Sequence, residues 1–202
     1  VCLVGSEMCI RDSFKLSLGD VSEGRVLPFI MKEIYADSKN ISVGSFAYQR
    51  SDQVHALATN NLDFVVDPII PRSDEINSEK VFEDDFVVMY REGHDLSKIK
   101  DVSVDDILDQ KHLHVSNRRR GLHLIDTELE KIGYRREVAL RCQHFLIAPT
   151  IIQSTDLVLM GTRSFANRNN LPFAEIPLDI PSMEYFLISV SYTHLRAHET
   201  HE

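Results

Sequence analysis

Asn60-Asn61-Leu62-Asp63-Phe64-Val65-Val66 and Ser154-Thr155-Asp156-Leu157-Val158-Leu159-Met160 share one arrangement. In each, a helical pattern ends in polar residues, an aspartate closes the turn, and a short apolar run follows. The runs Phe64-Val65-Val66 and Leu157-Val158-Leu159-Met160 do not alternate, which is how a strand reads when helices cover both faces of a parallel sheet. The two units lie about ninety residues apart with a plausible hinge between them. They predict two small α/β lobes with a cleft between them, and such a cleft usually holds a small molecule.

Working outward, Phe14 to Leu18 alternates as a first strand ending at Gly19-Asp20, with Ser22 the candidate N-cap of the helix beyond. Val26, Leu27, Phe29, Ile30, Ile34 and Tyr35 mark the buried face of that helix, and Pro28 falls early enough to be tolerated. Ile41 to Phe46 is a second strand, and Ser51 or Asp52 caps a helix over 53–60. Leu62 to Val66 is the third strand, giving a parallel sheet with right-handed crossovers. After Pro68 and Pro71, a polar loop covers 72–78. Lys80 to Arg91 then reads as one long strand crossing between lobes.

The second lobe repeats the grammar. It has a short helix after Ser103, a strand His112 to Val115, and a helix Leu124 to Ile132 stopped by Gly133. A strand Val138 to Cys142, a helix Phe145 to Gln153 and the Asp156 strand follow. Arg163 to Asn169 is a short helix, and Glu184 to Ile188 is the strand that returns to the first lobe. The expected division is 14–90 with 183–190 as the first lobe and 91–182 as the second.

Composition narrows the class. With 43% hydrophobic and 26% charged residues over 202, the chain is an ordinary soluble globular protein. A net charge of −9 argues against a broad nucleic-acid surface. Arg118-Arg119-Arg120, the sharp basic cluster, reads first as a solvated loop. No apolar run approaches the roughly 20 residues that span a bilayer. Three cysteines, Cys2, Cys9 and Cys142, make neither a disulfide framework nor a CxxC metal spacing, and Cys142 reads as a buried free thiol in a cytosolic protein. The ends, 1–13 and 191–202, match neither period and look like translated sequencing-adapter tracts. On that reading His194, His198 and His201 form no metal site, and the authentic protein is longer at both ends.

In order and spacing the pieces resemble the effector-binding domain of LysR-type transcriptional regulators, nearest the branch that answers aromatic acids and flavonoids. The phrases that carry the resemblance are Leu16-Ser17-Leu18-Gly19-Asp20 before a Pro28-containing helix; Leu62-Asp63-Phe64-Val65-Val66; Glu83-Asp84-Asp85-Phe86-Val87-Val88-Met89-Tyr90-Arg91-Glu92-Gly93-His94; His144-Phe145; and Ser154-Thr155-Asp156-Leu157. It spans about Phe14 to Ser189. The resemblance implies two Rossmann-like lobes of the type 2 periplasmic-binding-protein fold, a small effector between them, and homodimers or tetramers. It also implies DNA contact only through an N-terminal winged helix-turn-helix that this chain lacks. A C-terminal helix expected after the returning strand is replaced by the tail.

In such sheets ligands meet the carboxyl ends of strands, where helix N-termini present free N–H groups suited to a carboxylate. The effector-binding candidates in the first lobe are therefore Gly19, Asp20, Val21, Ser22, Phe46, Tyr48, Asp67 and Pro68. In the second they are Ser116, His123, His144 and Phe145. By resemblance His144 matches a pocket histidine of the aromatic-acid regulators, and His123 lies near another. Asp20 and Asp67 are otherwise turn residues, and Phe145 is otherwise core. There is no nucleophile elbow, P-loop or HExxH motif. The reading is therefore a sensor rather than an enzyme, without catalytic residues, metal or cofactor. A stand-alone solute-binding protein or a cleft enzyme on the same fold is the alternative.

Overall fold

The computed structural model describes residues 13–37, 41–116 and 124–190. In chain order they form β1 (Ser13–Leu18), α1 (Asp20–Asp37), β2 (Ser42–Phe46), α2 (Arg50–Ala58), β3 (Phe64–Asp67), β4 (Ile76–Asp84) and β5 (Phe86–Met89). There follow α3 (Val104–Leu108), β6 (Lys111–Val115), α4 (Leu124–Lys131), β7 (Glu137–Cys142), α5 (Ala148–Ser154), β8 (Leu159–Thr162), α6 (Arg163–Arg168), β9 (Phe173–Glu175) and β10 (Met183–Val190). Two compact units emerge, residues 13–81 with 185–190, and Phe82–Glu184.

The first unit is built on a five-stranded sheet ordered β2-β1-β3-β10-β4. β1 runs parallel to both β2 and β3, as the short turns require, while β10 returns antiparallel to β3. Ala56, Leu57, Leu62, Val65 and Ile188 form its buried cluster. Each of the larger side chains among them contributes roughly 1.5–3 kcal/mol when taken out of water. Asp63, the aspartate of the first quoted phrase, accepts from the Lys15 N–H at 2.7 Å while its own N–H donates to the Lys15 carbonyl at 2.9 Å. It thereby pins the turn before β3 to the start of β1.

Three local expectations change in this unit. Asp20 opens α1, so Ser22 lies inside the first turn instead of at the N-cap. Gln49, with no side-chain cap bond, precedes α2, and the Ser51 hydroxyl donates to the neighbouring Asp52 carboxylate. Pro28 is an interior residue of α1 and removes the donor that would reach the Gly24 carbonyl.

The second unit differs from the uniformly parallel sheet expected of it. β5 is flanked by β8 and β9, both antiparallel, and among the described residues of this unit the parallel ladder is the one between β6 and β7. A parallel bridge between His112 and Val158 links the two pieces, with Leu113 N–H donating to the Val158 carbonyl at 2.8 Å. The expected long strand 80–91 is two strands broken at Asp85. The Asp85 carbonyl accepts from Arg163 N–H and its carboxylate accepts from the Ser182 hydroxyl, so the break is held from both sides. Likewise the expected helix 145–153 is a 3-10 turn, Phe145–Ile147, followed by α5 with Pro149 in its first turn. Gly133 stops α4 as expected. At φ +81° it lets Tyr134 N–H reach back to the Leu129 carbonyl.

The core of this unit gathers Val88, Leu96, Ile107, Ile125, Leu129, Val158 and their neighbours. His94, from the Glu92-Gly93-His94 phrase, is part of that packing. Its Nδ1 accepts from Leu96 N–H at 3.1 Å, its Nε2 meets the Asp156 carbonyl at 3.2 Å, and its ring stacks on Tyr90.

Candidate functional site

In the first unit the predicted residues converge because parallel strands end together. Ser17 of β1 pairs with Phe46 of β2, and Leu18 pairs with Val66 of β3. The β1–α1 turn, the end of β2 and the Asp67-Pro68 turn therefore sit side by side. Gly19 and Asp20 are exposed there and Val21 is half-buried. Ser22 is buried: its hydroxyl accepts from Gly19 N–H at 3.0 Å and donates to the Gly19 carbonyl at 2.9 Å. The serine thus closes the turn that presents the start of α1.

Phe46 is exposed, with its ring folded back over Gly44, where an added Cβ would come within 2.7 Å of it. Tyr48 is half-buried against the first unit's apolar cluster, so it is largely a packing residue. Asp67 is buried and more than a turn residue. Arg50, the first residue of α2, donates Nε to both of its oxygens at 3.0 and 3.1 Å and brings Nη2 to 2.9 Å. Ile69 N–H adds a further bond at 2.8 Å, and Pro68 is half-buried beside it. Arg50 lies inside the stretch 46–51 expected at the ligand-facing strand ends, but it was not singled out and its pairing with Asp67 was not expected. No periodicity signals the pair, because it forms between side chains on different elements.

In the second unit β6 and β7 also end together, with Val115 opposite Cys142. Ser116 N–H donates to the Cys142 carbonyl at 2.9 Å, and His144 follows two residues later. His144 is exposed and precedes the 3-10 turn in an extended conformation. Phe145 is half-buried, edge-on to Phe165 at 5.3 Å. Cys142 is half-buried where full burial was expected; it is a free thiol whose pKa is pushed up by burial. His123 and Arg118-Arg119-Arg120 lie outside the described residues, as do the three tail histidines. Among the described residues no group of His, Cys, Asp and Glu is placed to hold a metal ion.

Sequence reading missed a buried polar cluster under α4. Arg136 donates Nε and Nη2 to Asp126 at 2.6 and 3.1 Å, and Nη2 also reaches His114 Nδ1 at 3.0 Å. Because a guanidinium only donates, His114 Nδ1 accepts, and the ring is neutral. Burial first, then Arg136, lowers the His114 pKa. His112, two residues earlier on the same face of β6, meets the Ile107 carbonyl through Nε2 at 3.1 Å. Its pKa is pushed down to about 4, chiefly by burial and next by Arg136. A small, partly open pocket of about 10 Å³ adjoins the cluster and is lined by Arg136 and His114 together with apolar residues that include Val115, Phe145, Leu159 and Met160.

Two α/β units, wound on separate sheets and exchanging the chain at β4 and β10, define the periplasmic-binding-protein class of small-molecule domain. Within that class the model of the LysR substrate binding domain matches residues 10–198, and the chain belongs to this family. The transcriptional activator NagR of Ralstonia sp is 22% identical over 161 residues, covering 80% of this chain and 53% of NagR. The chain thus spans about half the length of this curated relative. Among solved structures, a probable transcriptional regulator from Pseudomonas aeruginosa, PA0477, superposes with a TM-score of 0.78 at 25% identity, covering 93% of this chain and 66% of that one. The BenM effector binding domain with its effector benzoate superposes with a TM-score of 0.72 at 13% identity, over 89% and 84% of the two chains. The family and its relatives are transcriptional regulators, not enzymes. Among the described residues no helix is long and apolar enough to cross a membrane.

Proposed function

We propose that this chain is the sensing domain of a cytoplasmic LysR-type regulator and that its effector is a small carboxylate, aromatic in the first instance. The observation that carries this is the clustering of strand tips in a chain of this family. In the first unit the start of α1 follows β1 directly, and the first N–H groups of a helix are suited to an anion. The benzoate complex of the similarly folded BenM domain supports the ligand class. The proposed determinants are the β1–α1 turn (Gly19, Asp20, Val21, Ser22), Phe46 and the Asp67-Pro68 turn, together with Ser116, His144 and Phe145.

A ligand resets such a domain only by binding one arrangement better than another. In the whole regulator that bias would be passed to DNA-binding modules. Homodimers are part of the proposal, with α1 and α4 as contact faces. Phe29 and Tyr35 on α1 are 66% and 65% exposed, and Ile132 at the end of α4 is 51% exposed, more apolar surface than isolated helices need.

The test is thermal denaturation with benzoate, acetate and the neutral benzamide. A ligand at about 100 times its dissociation constant stabilises by about 2.7 kcal/mol. The carboxylates should raise the melting temperature and benzamide should not. Because His144 is exposed, His144→Ala should leave the ligand-free protein within about 0.5 kcal/mol of wild type yet remove the benzoate shift. An unchanged shift removes His144 from the site, and no shift with any carboxylate refutes the ligand class.

A further inference from the structure

Asp67 spends its carboxylate inside the first unit. Arg50 Nε lies 3.0 and 3.1 Å from its two oxygens, Arg50 Nη2 lies 2.9 Å from Oδ1, and Ile69 N–H donates to Oδ1 at 2.8 Å. With its side chain 12% exposed, the aspartate acts as a clamp. The group that it clamps is open to solvent, since the Arg50 side chain is 36% exposed. A guanidinium is a planar fork of five N–H donors, and Asp67 takes the edge formed by Nε and Nη2. The next edge, formed by Nη1 and the second N–H of Nη2, makes no hydrogen bond or ion pair among the described residues. Two parallel N–H groups are thus left over, held in one orientation. That is the arrangement that takes a carboxylate bidentately.

The register of the sheet says where this fork stands. Leu18 of β1 is opposite Val66 of β3, so Gly19 and Asp67, each one residue further on, leave the sheet from neighbouring strands about 4.8 Å apart. Because Arg50 is tied to Asp67, its guanidinium stands beside the β1–α1 turn, where the positive end of the α1 dipole begins. Ile69, 48% exposed and bonded through its N–H to the same aspartate, adds apolar surface next to the fork. The Arg50–Asp67 pair is neutral as a whole, so it offers directed donors rather than net charge. A tie between α2 and β3 alone would need only the Nε–Nη2 edge.

We propose that Arg50 is a specificity-determining residue that grips the effector's carboxylate through Nη1 and Nη2, and that Asp67 is its positioning residue. This rests on the sensing function proposed above and deepens it. The fork selects a planar carboxylate over a neutral amide, and the apolar surface of Ile69 favours an acid with an apolar body over acetate.

Titration calorimetry of benzoate with wild type, with Arg50→Lys and with the paired variant Arg50→Gln/Asp67→Asn tests this. Lysine keeps a counter-charge for the buried aspartate but lacks the two parallel donors, and the paired variant removes both charges together so that no lone carboxylate is left buried. Benzoate should bind several-fold more weakly to Arg50→Lys and about ten- to a hundredfold more weakly to the paired variant, the loss of a hydrogen bond to a charged group. Wild-type affinity in either variant overturns the role of Arg50. Nitrogen-15 NMR of the Arg50 side chain gives a reading that a merely structural pair would not move. Saturating benzoate should slow rotation of the guanidinium groups and resolve the Nη1 protons, and unchanged signals overturn the grip. If wild type binds no benzoate, the sensing function falls and this role with it; if wild type binds and both variants bind equally well, only the role of Arg50 falls.

Discussion

Lowering the pH from about 7.5 to about 5 should cost the folded protein about 2 kcal/mol through His112 alone. The ring is wholly buried in the middle of β6; Nε2 donates to the Ile107 carbonyl, and Nδ1 has no donor facing it. A second proton would have to enter a buried ring beside the Arg136 guanidinium, so the folded-state pKa falls to about 4 from 6.5. The unfolded chain takes up that proton near pH 6.5, while the folded chain resists until about pH 4. Between those values the unfolded state binds more protons, and stability falls as pH falls. The full span, 6.5 − 4, corresponds to about 3 kcal/mol at 1.36 kcal/mol per unit, of which about 2 is spent by pH 5. Urea unfolding at both pH values, for wild type and for His112→Gln, isolates the effect. Glutamine keeps an N–H donor for the Ile107 carbonyl and does not titrate. His114 shifts in the same direction but is present in both proteins, so it cancels in the difference. Wild type should lose about 2 kcal/mol more than the variant over this range. Equal losses would refute the reasoning.

Two further outcomes follow from the packing. Asp126→Asn should destabilise by about 3–5 kcal/mol in denaturant unfolding, because it strips the counter-charge from a buried guanidinium; a loss under about 1 kcal/mol would mean that solvent reaches Arg136. Ser22→Ala should cost about 1 kcal/mol by releasing both Gly19 hydrogen bonds, and amide exchange should quicken at Gly19 and Glu23.

Much of the first unit was legible because its signals are local. Alternation in Phe14 to Leu18, the unbroken Phe64-Val65-Val66 run and the aspartate at the turn fix β1 and β3 without knowledge of distant residues. The two quoted phrases nevertheless hide different aspartates. Asp63 bonds to the backbone of β1, whereas Asp156 forms an ion pair with Arg91 at 2.6 Å, and no periodicity separates those roles. The break at Asp85 was invisible for the same reason, since Arg163 and Ser182 hold it from far along the chain. β9 is three residues long and pairs with β5, too short to show a period. Most of the site candidates, Ser22 and Asp67 among them, could be named because parallel strands end in register. Their partners could not be named in advance. Arg50 beside Asp67, and the Arg136–Asp126–His114 cluster, depend on side chains meeting across elements. His112 and His114 alternate with apolar residues on a buried strand and look like ordinary polar positions until α4 is laid over them.

The crystal structure of the chain with a carboxylate that stabilises it would test the central claim most directly. The account predicts the carboxylate group against the amides of the β1–α1 turn around Gly19 to Ser22. A ligand seated on the outer face of α1 around Phe29 and Tyr35, or one away from the β1–α1 turn, would contradict it.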